Sequence, residues 1–250
     1  MKLTGNTIFI TGGGSGIGRA LAEALHNLGN QVIISGRRKG HLAEVTAANP
    51  GMQSVELNVE DPASIAAVAA KLIADYPALN VVINNAGIMK PDNADGVLDD
   101  AQMASIITTN VMGPIRVTSA LIEHLKKQPV ATVIYTTSGL AFVPLAFTAV
   151  YSATKAAMHS YLMSQRFQLK GTNVKVLELA PPYVQTELMG AEMAVDPRAM
   201  PLKDFIAETI QALGTDADEV LVERVGMLRN NPGPNEHAFV NKFNDMMAGH

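Results

Sequence analysis

The sequence predicts an α/β fold, with a parallel sheet covered on both faces by helices in one domain that spans residues 1–250. Two patterns predict it. Short β-branched runs alternate five times with longer segments of helical periodicity, which is typical of strand–helix–strand units. A glycine cluster separates the first strand from the first helix, and α/β folds often bind a ligand at such a turn. A chain of this length commonly buries one large core.

The composition excludes several classes of protein. The chain is 48% hydrophobic and 17% charged, which is typical of a globular protein rather than a disordered one. Its net charge of −4 and its lack of a long basic run argue against nucleic-acid binding. The absence of cysteine excludes disulfides, thiolate catalysis and cysteine-ligated zinc, and we expect no metal site. We see no signal peptide and no apolar run of the ~18 residues that a membrane span needs, so we expect a cytoplasmic protein.

The first strand and the first helix enclose a glycine turn. Residues 7–10 form an apolar strand, residues 11–18 read Thr-Gly-Gly-Gly-Ser-Gly-Ile-Gly, and apolar residues then recur at helical spacing up to Gly29. Glycines let the backbone approach a ligand closely, and a helix N-terminus presents free N–H groups to a phosphate. A plain tight turn is the alternative, but the flanking strand and helix favour a dinucleotide site.

The second strand, residues 31–35, ends at Gly36, Arg37 and Arg38. An NAD site usually has an acidic residue at this place, where it binds the ribose hydroxyls. Here the carboxylate is missing, and an arginine suits a 2′-phosphate. The alternative is a solvated basic pair that opens a helix. The pattern favours NADP(H) over NAD(H).

The third and fourth strands, residues 52–58 and 81–83, are separated by a helix with an N-cap at Asp61 and proline at its first position. The fourth strand continues into Asn-Asn-Ala-Gly, residues 84–87. Small and amide residues at the carboxyl end of a strand suit the crevice where open α/β sheets bind ligands. Alone, these four residues would more often be a turn.

A long helix is predicted within residues 99–126. Its apolar positions spread over more than one face, which indicates burial against the sheet and against a partner subunit. Asn110 lies inside it, where an amide is unfavourable. From this feature alone, a core asparagine bonded to the backbone is as plausible as a catalytic one.

The fifth strand, residues 130–137, leads to Ser138 and then to an apolar loop, residues 140–147. That loop is either core or, as is more usual at this edge, the lining of a site. The next helix, residues 150–169, carries Tyr151 and Lys155 one turn apart on one face. An ammonium beside a phenol favours the phenolate, so Tyr151 could exchange protons near neutral pH. The spacing alone is also common by chance.

The last part of the chain has weaker patterns. Residues 174–179 form a sixth strand that ends before two prolines, residues 183–213 suit a helical lid over the site, and residues 219–223 suit a last strand. Residues 230–234 break the pattern, and the tail after them is either a short helix or frayed.

Taken in order, these motifs resemble the short-chain dehydrogenase/reductases over at least residues 7–188. The matching motifs are the glycine turn of residues 11–18, the Asn-Asn-Ala-Gly of residues 84–87, Asn110, Ser138, Tyr151 and Lys155. In addition, residues 181–188 (Pro-Pro-Tyr-Val-Gln-Thr-Glu-Leu) resemble the subgroup associated with teichoic-acid D-alanylation operons.

The resemblance implies a three-layer, doubly wound Rossmann fold with about seven strands and a nicotinamide cofactor, NADP(H) or alternatively NAD(H). It implies that Tyr151 is the general acid/base, that Ser138 hydrogen-bonds the substrate oxygen, and that Lys155 lowers the pKa of Tyr151 and binds the nicotinamide ribose. Asn110 would hold the water of a proton relay. The residues expected at the cofactor are Gly12, Gly14, Ser15, Gly16, Ile17, Gly18, Arg37, Arg38, Asn58, Val59, Asn85, Ala86, Gly87, Tyr151, Lys155, Pro181 and Thr186.

Three positions depart from the family pattern. Pro181 and Pro182 stand where Pro-Gly is usual, and Asn58 and Val59 stand where an aspartate often contacts adenine. The C-terminus lacks the glycine-rich last turn of many tetrameric members. A tetramer is therefore not assumed, and we expect either a homodimer or a homotetramer that associates through the helices of residues 99–126 and 150–169.

The predicted function is reduction of a ketone or aldehyde, and the apolar loop favours a hydrophobic or aromatic substrate over a charged sugar. The alternatives are an NADP-binding regulator without turnover, and an isomerase or dehydratase on the same fold. The residues expected at the substrate are Met89, Leu140, Phe142, Leu145, Tyr183, Leu188 and Met189.

Overall fold

Seven parallel strands form the central sheet of the computed structural model, which describes residues 1–248. Along the sheet the strands lie in the order β3-β2-β1-β4-β5-β6-β7. The strands are β1 (Thr7–Thr11), β2 (Gln31–Gly36), β3 (Gln53–Glu56), β4 (Leu79–Asn84), β5 (Ala131–Thr136), β6 (Val174–Leu179) and β7 (Glu219–Val220). The helices are α1 (Gly16–Asn27), α2 (Lys39–Ala48), α3 (Pro62–Asp75), α4 (Asp100–Ile107), α5 (Gly113–Leu125), α6 (Ala149–Gln168), α7 (Ala191–Val195), α8 (Leu202–Leu213), α9 (Gly226–Arg229) and α10 (Glu236–Ala248).

The strands are apolar on both faces because helices cover both faces of the sheet. Ile8 and Ile10 of β1 pack into one core with Leu21 of α1. Phe9, between them, points the other way and packs into a second core with Val117 of α5. This arrangement is the predicted three-layer fold.

The strand order reverses beside β1. From β1 the chain builds β2 and β3 outward on one side, and it then returns to place β4 on the other side. The loops that leave β1 and β4 therefore diverge, and a crevice opens at the carboxyl ends of these strands.

Most predicted boundaries are close to those of the structure. The sixth strand coincides with β6, and α8 forms the second part of the segment that was predicted as a helical lid. The Asp61 carboxylate accepts the Ala63 N–H as the predicted N-cap. The third and last strands are shorter than predicted, because β3 and β7 each pair with one neighbour only, at the two edges of the sheet.

The long helix predicted within residues 99–126 is interrupted. A π-helical turn, Thr108–Met112, separates α4 from α5 and contains Asn110. Pro114 explains the interruption, because it has no N–H to donate to the carbonyl of residue 110 four positions earlier. Such turns are frequent at functional sites.

Residues 236–248 of the tail form helix α10, which covers the apolar loop, and the last two residues of the predicted tail lie outside the described residues. Asn244 of α10 accepts the Ala146 N–H at 2.6 Å and donates to the Pro144 carbonyl at 3.0 Å. Phe142 and Val143 of the loop form a core cluster under α10. This part of the loop is therefore core, and the expectation that it lines a site is wrong for these two residues. Among residues 1–248, no helix is long and apolar enough to cross a membrane.

Candidate active site

A cavity of about 410 Å³ lies along the carboxyl edge of the sheet. It runs from the glycine turn to the N-terminal part of α6, which carries Tyr151 and Lys155. We call its two ends the glycine end (residues 11–18 with Arg37 and Arg38) and the tyrosine end (Ser138, Tyr151 and Lys155). Of the residues expected at the cofactor, all except Asn58 line it: Gly12, Gly14, Ser15, Gly16, Ile17, Gly18, Arg37, Arg38, Val59, Asn85, Ala86, Gly87, Tyr151, Lys155, Pro181 and Thr186.

At the glycine end, the backbone shapes the cavity. A Cβ on Gly18 would lie 2.3 Å from the Gly12 carbonyl oxygen, so only glycine lets α1 pack this closely on the turn. Gly16 has a φ of +53°, and a Cβ there would project toward Thr186 across the cavity, 3.6 Å from its Cβ. The space left by Gly16 at the N-terminus of α1 fits the phosphates of a dinucleotide.

The two arginines have different partners. Arg38 donates to the Ser15 hydroxyl at 3.0 Å and so contacts the glycine turn. Arg37 donates to the Glu60 carboxylate at 3.0 Å, and its side chain is 58% exposed. Both arginines line the cavity, where a guanidinium suits a phosphate. Arg37 would have to share its charge between Glu60 and a 2′-phosphate.

Asn58 turns away from the cavity. Its side-chain oxygen accepts the Glu60 N–H at 3.2 Å, which closes a local turn, while Leu57 and Val59 line the cavity on either side of it. The structure therefore gives no support to the expected contact between Asn58 and adenine.

Thr11 connects the glycine turn to residues 84–87. Its hydroxyl accepts the N–H groups of Asn85 and Ala86 at 3.0 and 3.1 Å, and Asn85 donates to the Thr11 carbonyl at 3.2 Å. In the sequence, Thr11 is only the first residue of the glycine motif, and no local pattern indicates this connecting role. Its position at the end of β1 could have indicated this role, because the end of β1 lies beside the end of β4 in the sheet.

Asn110 is fully bonded to its surroundings. Its side chain exchanges two 2.9 Å hydrogen bonds with the backbone of Ile88, and it also donates to the Thr154 hydroxyl at 3.2 Å. Thr154 in turn donates to the Tyr151 carbonyl at 2.6 Å. The side chain of Asn110 thus joins the loop after β4 to the helix of Tyr151, and it does not line the cavity.

Ser138, Tyr151 and Lys155 meet at the tyrosine end, where all three line the cavity. The Lys155 ammonium donates to the Thr136 carbonyl at 2.8 Å and lies 5.4 Å from the centre of the Tyr151 ring. The Ser138 hydroxyl accepts the Leu140 N–H at 3.1 Å, so its own hydrogen is left for another acceptor.

Asp92 fixes the start of α6. Its two carboxylate oxygens accept the N–H groups of Ala149 and Val150 at 3.1 and 2.8 Å, directly before Tyr151. A carboxylate at a helix N-terminus stabilises the helix through these bonds and through the helix dipole. The cap comes from 57 residues away in sequence, so no local pattern could have predicted it.

The pKa values at this end differ from the expectation. Burial raises the pKa of Tyr151 to about 12, and the neighbouring Ser138 hydroxyl opposes that shift. Burial also lowers the pKa of Lys155 to about 8. The expected lowering of the Tyr151 pKa by Lys155 is therefore not seen in this structure, because loss of hydration disfavours both charged forms. Tyr151 is a neutral phenol at pH 7 and has a proton to give.

The expected substrate residues divide into two groups. Met89 and Leu188 line the cavity. Phe142 lies between the His159 ring, at 5.0 Å, and the Arg229 guanidinium, at 4.8 Å, and Tyr183 donates to Asp196 at the surface. Neither Phe142 nor Tyr183 lines the cavity, and the same holds for the other three expected residues, Leu140, Leu145 and Met189.

Several lining residues were missed by the sequence analysis. Most of them lie within two residues of a predicted position, whereas His41, Leu42 and Met193 lie three or four residues away. They are Ser35, His41, Leu42, Leu57, Ile88, Lys90, Thr109, Thr136, Thr137, Pro182, Val184, Glu187 and Met193. Within the described residues, no group of three His, Asp or Glu side chains is arranged to hold a metal ion.

Comparison with known proteins gives matches over most of the chain. The family model for short chain dehydrogenases matches residues 6–196. The "uncharacterized oxidoreductase DltE" of Bacillus subtilis is 39% identical over 234 residues, which are 92% of this chain and 93% of that protein. This relative confirms the resemblance to the D-alanylation-operon subgroup. The mouse dehydrogenase/reductase SDR family member 7B is 27% identical over 72% of this chain and 58% of its own.

Solved structures share the fold. A short chain dehydrogenase from Burkholderia cenocepacia in complex with NADP has a TM-score of 0.84 at 24% identity, over 97% of this chain and 98% of its own. One from Burkholderia phymatum in complex with NAD has a TM-score of 0.83 at 22% identity, over 97% of this chain and 96% of its own.

Proposed function

The chain belongs to the short-chain dehydrogenase/reductase family, and we propose that it is an NADP(H)-dependent reductase of ketones or aldehydes. The observation that carries the proposal is one cavity with a phosphate-binding glycine turn and two arginines at one end and Ser138, Tyr151 and Lys155 at the other. A pure regulator would have no chemical need for the second group.

The residues of the tyrosine end supply proton transfer and orientation. When bound, the nicotinamide supplies the hydride for the carbonyl carbon. The Ser138 hydroxyl, which lines the cavity beside Tyr151, donates to the substrate oxygen and orients it. The neutral Tyr151 phenol gives that oxygen its proton, which suits the reductive direction. The Lys155 ammonium, held by the Thr136 carbonyl, stabilises the phenolate that remains.

The preference for NADP(H) over NAD(H) is supported by the glycine end. β2 ends in glycine, and no carboxylate stands at its end to bind the ribose hydroxyls, while Arg37 and Arg38 line the cavity. NADPH is therefore expected to bind more tightly than NADH, and equal affinities would count against the role of these arginines.

The substrate is proposed to be hydrophobic, beneath a lid formed by residues 183–213. Part of the cavity lining is apolar, and it is formed by Met89, Val184, Leu188 and Met193. A bridge between Val184 and Met200 closes the base of the segment that would move. Comparable rates on an aryl ketone and a charged sugar would contradict this proposal.

A homo-oligomer is supported by apolar side chains on the outer faces of the long helices. Phe167 of α6 is 76% exposed, and Met163 of the same helix, Ile107 and Met112 are also exposed. Large apolar side chains grouped on helices often mark an interface between subunits. Light scattering of the purified chain would show whether it is a dimer or a tetramer.

The test is a panel of ketones and aldehydes followed through NADPH absorbance, with NADH alongside. Tyr151→Phe removes only the hydroxyl and is expected to lower kcat by at least about a hundredfold, since it removes the proton donor. The Kd for NADPH, measured by fluorescence, should stay within about twofold because the ring remains. Activity retained by Tyr151→Phe would refute the mechanism. Conversion of a substrate without net consumption of NADPH would instead favour an isomerase or dehydratase.

A further inference from the structure

We propose that Glu178 and His159 are positioning residues that hold Ser138 in register with Tyr151 and Lys155, an inference that rests on the proposed function. Glu178 lies on β6 and is 0% exposed, although its carboxylate takes no part in the mechanism above. A buried carboxylate is unfavourable unless donors satisfy it. Its two donors therefore show what the carboxylate connects.

The first donor is Thr137, the residue directly before Ser138. Its hydroxyl donates to one Glu178 oxygen at 2.6 Å, and its N–H donates to the Leu179 carbonyl at 2.8 Å. Thr137 is 1% exposed and has left the regular pairing of β5, which ends at residue 136. The side chain of Glu178 thus fixes the segment from which Ser138 points into the cavity.

The second donor is His159 of α6. Its Nδ1 lies 2.7 Å from the other Glu178 oxygen. Tyr151, Lys155 and His159 follow at intervals of four residues, so they share one face of that helix. The same carboxylate therefore holds both elements whose side chains must meet at the substrate oxygen.

The surroundings keep this bridge rigid. The Phe142 ring packs edge-on against the His159 ring, and Arg229, paired with Glu219 at 2.7 Å, covers the other side of Phe142. Because an error of about 1 Å in catalytic geometry can cost about a hundredfold in rate, a bridge between these two elements is expected to affect turnover more than stability.

A matched control is available in the same strand and helix. The Tyr135 hydroxyl of β5 is bonded to Gln165 of α6 at 2.8 Å and to Thr118 of α5 at 3.0 Å. This buried link also joins β5 to α6, but it lies farther from Ser138 along both elements. Tyr135→Phe therefore removes comparable polar contacts without loosening the segment of Ser138.

The experiment compares Glu178→Met, His159→Leu and Thr137→Val with Tyr135→Phe, on the carbonyl compound that the wild type reduces fastest. The first three are expected to lower kcat by about tenfold or more, with the Kd for NADPH and KM within about twofold. Tyr135→Phe should lower Tm by a similar amount and leave kcat within about twofold. His159→Asn, which keeps an N–H near the position of Nδ1, should recover part of the loss.

If kcat falls in proportion to Tm in all four variants, including Tyr135→Phe, the bridge is merely structural and the proposal is overturned. Should one variant fail to fold, the remaining two decide the question. Crystal structures of the variants give a readout that needs no substrate, since the distance between the Ser138 and Tyr151 hydroxyls is expected to increase. An unchanged distance would overturn the inference even if the wild type reduces carbonyls. If the wild type reduces nothing on the panel, the proposed function fails and this distance still tests the bridge.

Discussion

The two ends of the cavity are built by different means. In the glycine turn, residues 12–18, the backbone supplies the site, and neighbours in sequence shape it: the close contact of Gly18 with Gly12 spans six residues. At the tyrosine end side chains supply the chemistry, and distant segments hold them in place. Asp92 caps the helix of Tyr151 from 57 residues away, and the Lys155 ammonium bonds to a carbonyl 19 residues earlier.

This difference has consequences for substitutions. At the glycine end, a lost side chain is expected to weaken cofactor binding and leave chemistry intact. At the tyrosine end, small losses are expected to reduce turnover, and the buried charges there make stability depend on pH. Four predictions test this comparison.

The largest expected effect is that of Ser138→Ala. It removes the hydroxyl that orients the substrate oxygen, so kcat should fall by about a hundredfold while the Kd for NADPH is unchanged. The control at the other end is Ser15→Ala, which removes a hydroxyl of the same size that accepts from Arg38. It should raise the Kd for NADPH while kcat at saturation stays within about twofold. Equal effects of the two variants on kcat would contradict the expected difference between the two ends of the cavity.

The second prediction concerns Lys155 and pH. Its pKa is about 8 in the folded chain and 10.5 ordinarily, so between these values the unfolded chain binds the proton and the folded chain does not. The free energy of unfolding therefore rises with pH in this window. Between pH 8 and pH 10, the free energy of unfolding of the wild type should rise by about 2 kcal/mol relative to that of Lys155→Met. Urea denaturation at both pH values measures this gain, and parallel changes in the two proteins would contradict the prediction.

Above pH 10 the sign should reverse. Tyr151 keeps its proton in the folded chain up to a pKa of about 12, whereas an ordinary tyrosine loses it near 10. The folded chain then binds more protons than the unfolded one, and stability falls as pH rises. Tyr151→Phe should remove this part of the decline.

The third prediction is that Asp92→Ala lowers the free energy of unfolding by about 1 kcal/mol, the usual value of an N-cap. Because the cap lies directly before Tyr151, kcat should fall as well. The control is Asp61→Ala, which removes the cap of α3, a helix without a residue of the tyrosine end. That variant should lose similar stability and keep kcat. A similar fall of kcat in Asp92→Ala and Asp61→Ala would show that the loss of turnover does not come from the start of α6.

The smallest expected effect is that of Glu60→Gln, a substitution outside the cavity lining that frees Arg37 of the glycine end. The ion pair of Arg37 and Glu60 is partly exposed, so it contributes less than about 1 kcal/mol to the free energy of unfolding. Without this competitor, Arg37 is expected to bind NADPH up to about fivefold more tightly, with little change for NADH. Isothermal titration with both cofactors measures the difference. Equal gains for NADPH and NADH would show that Arg37 does not contact the 2′-phosphate.

The sequence predicted the elements that carry the site better than it predicted the site's contacts. The glycine turn, residues 84–87 and the spacing of Tyr151 and Lys155 are local patterns, and they lie on the predicted elements. Phe142 shows where local reasoning failed, since an apolar loop is either lining or core according to what covers it. Helix α10, about 100 residues later, covers it and makes it core.

What the sequence alone determined is the parallel fold, the cavity edge and the residue types there, because strand and helix periods and glycine conformations depend on neighbouring residues. What only the tertiary structure decided is the pKa direction of Tyr151, the partners of Asn110 and Arg37, and the bridge of Glu178 to His159 and Thr137. These depend on burial and on contacts between segments far apart in the chain, and no local pattern records them.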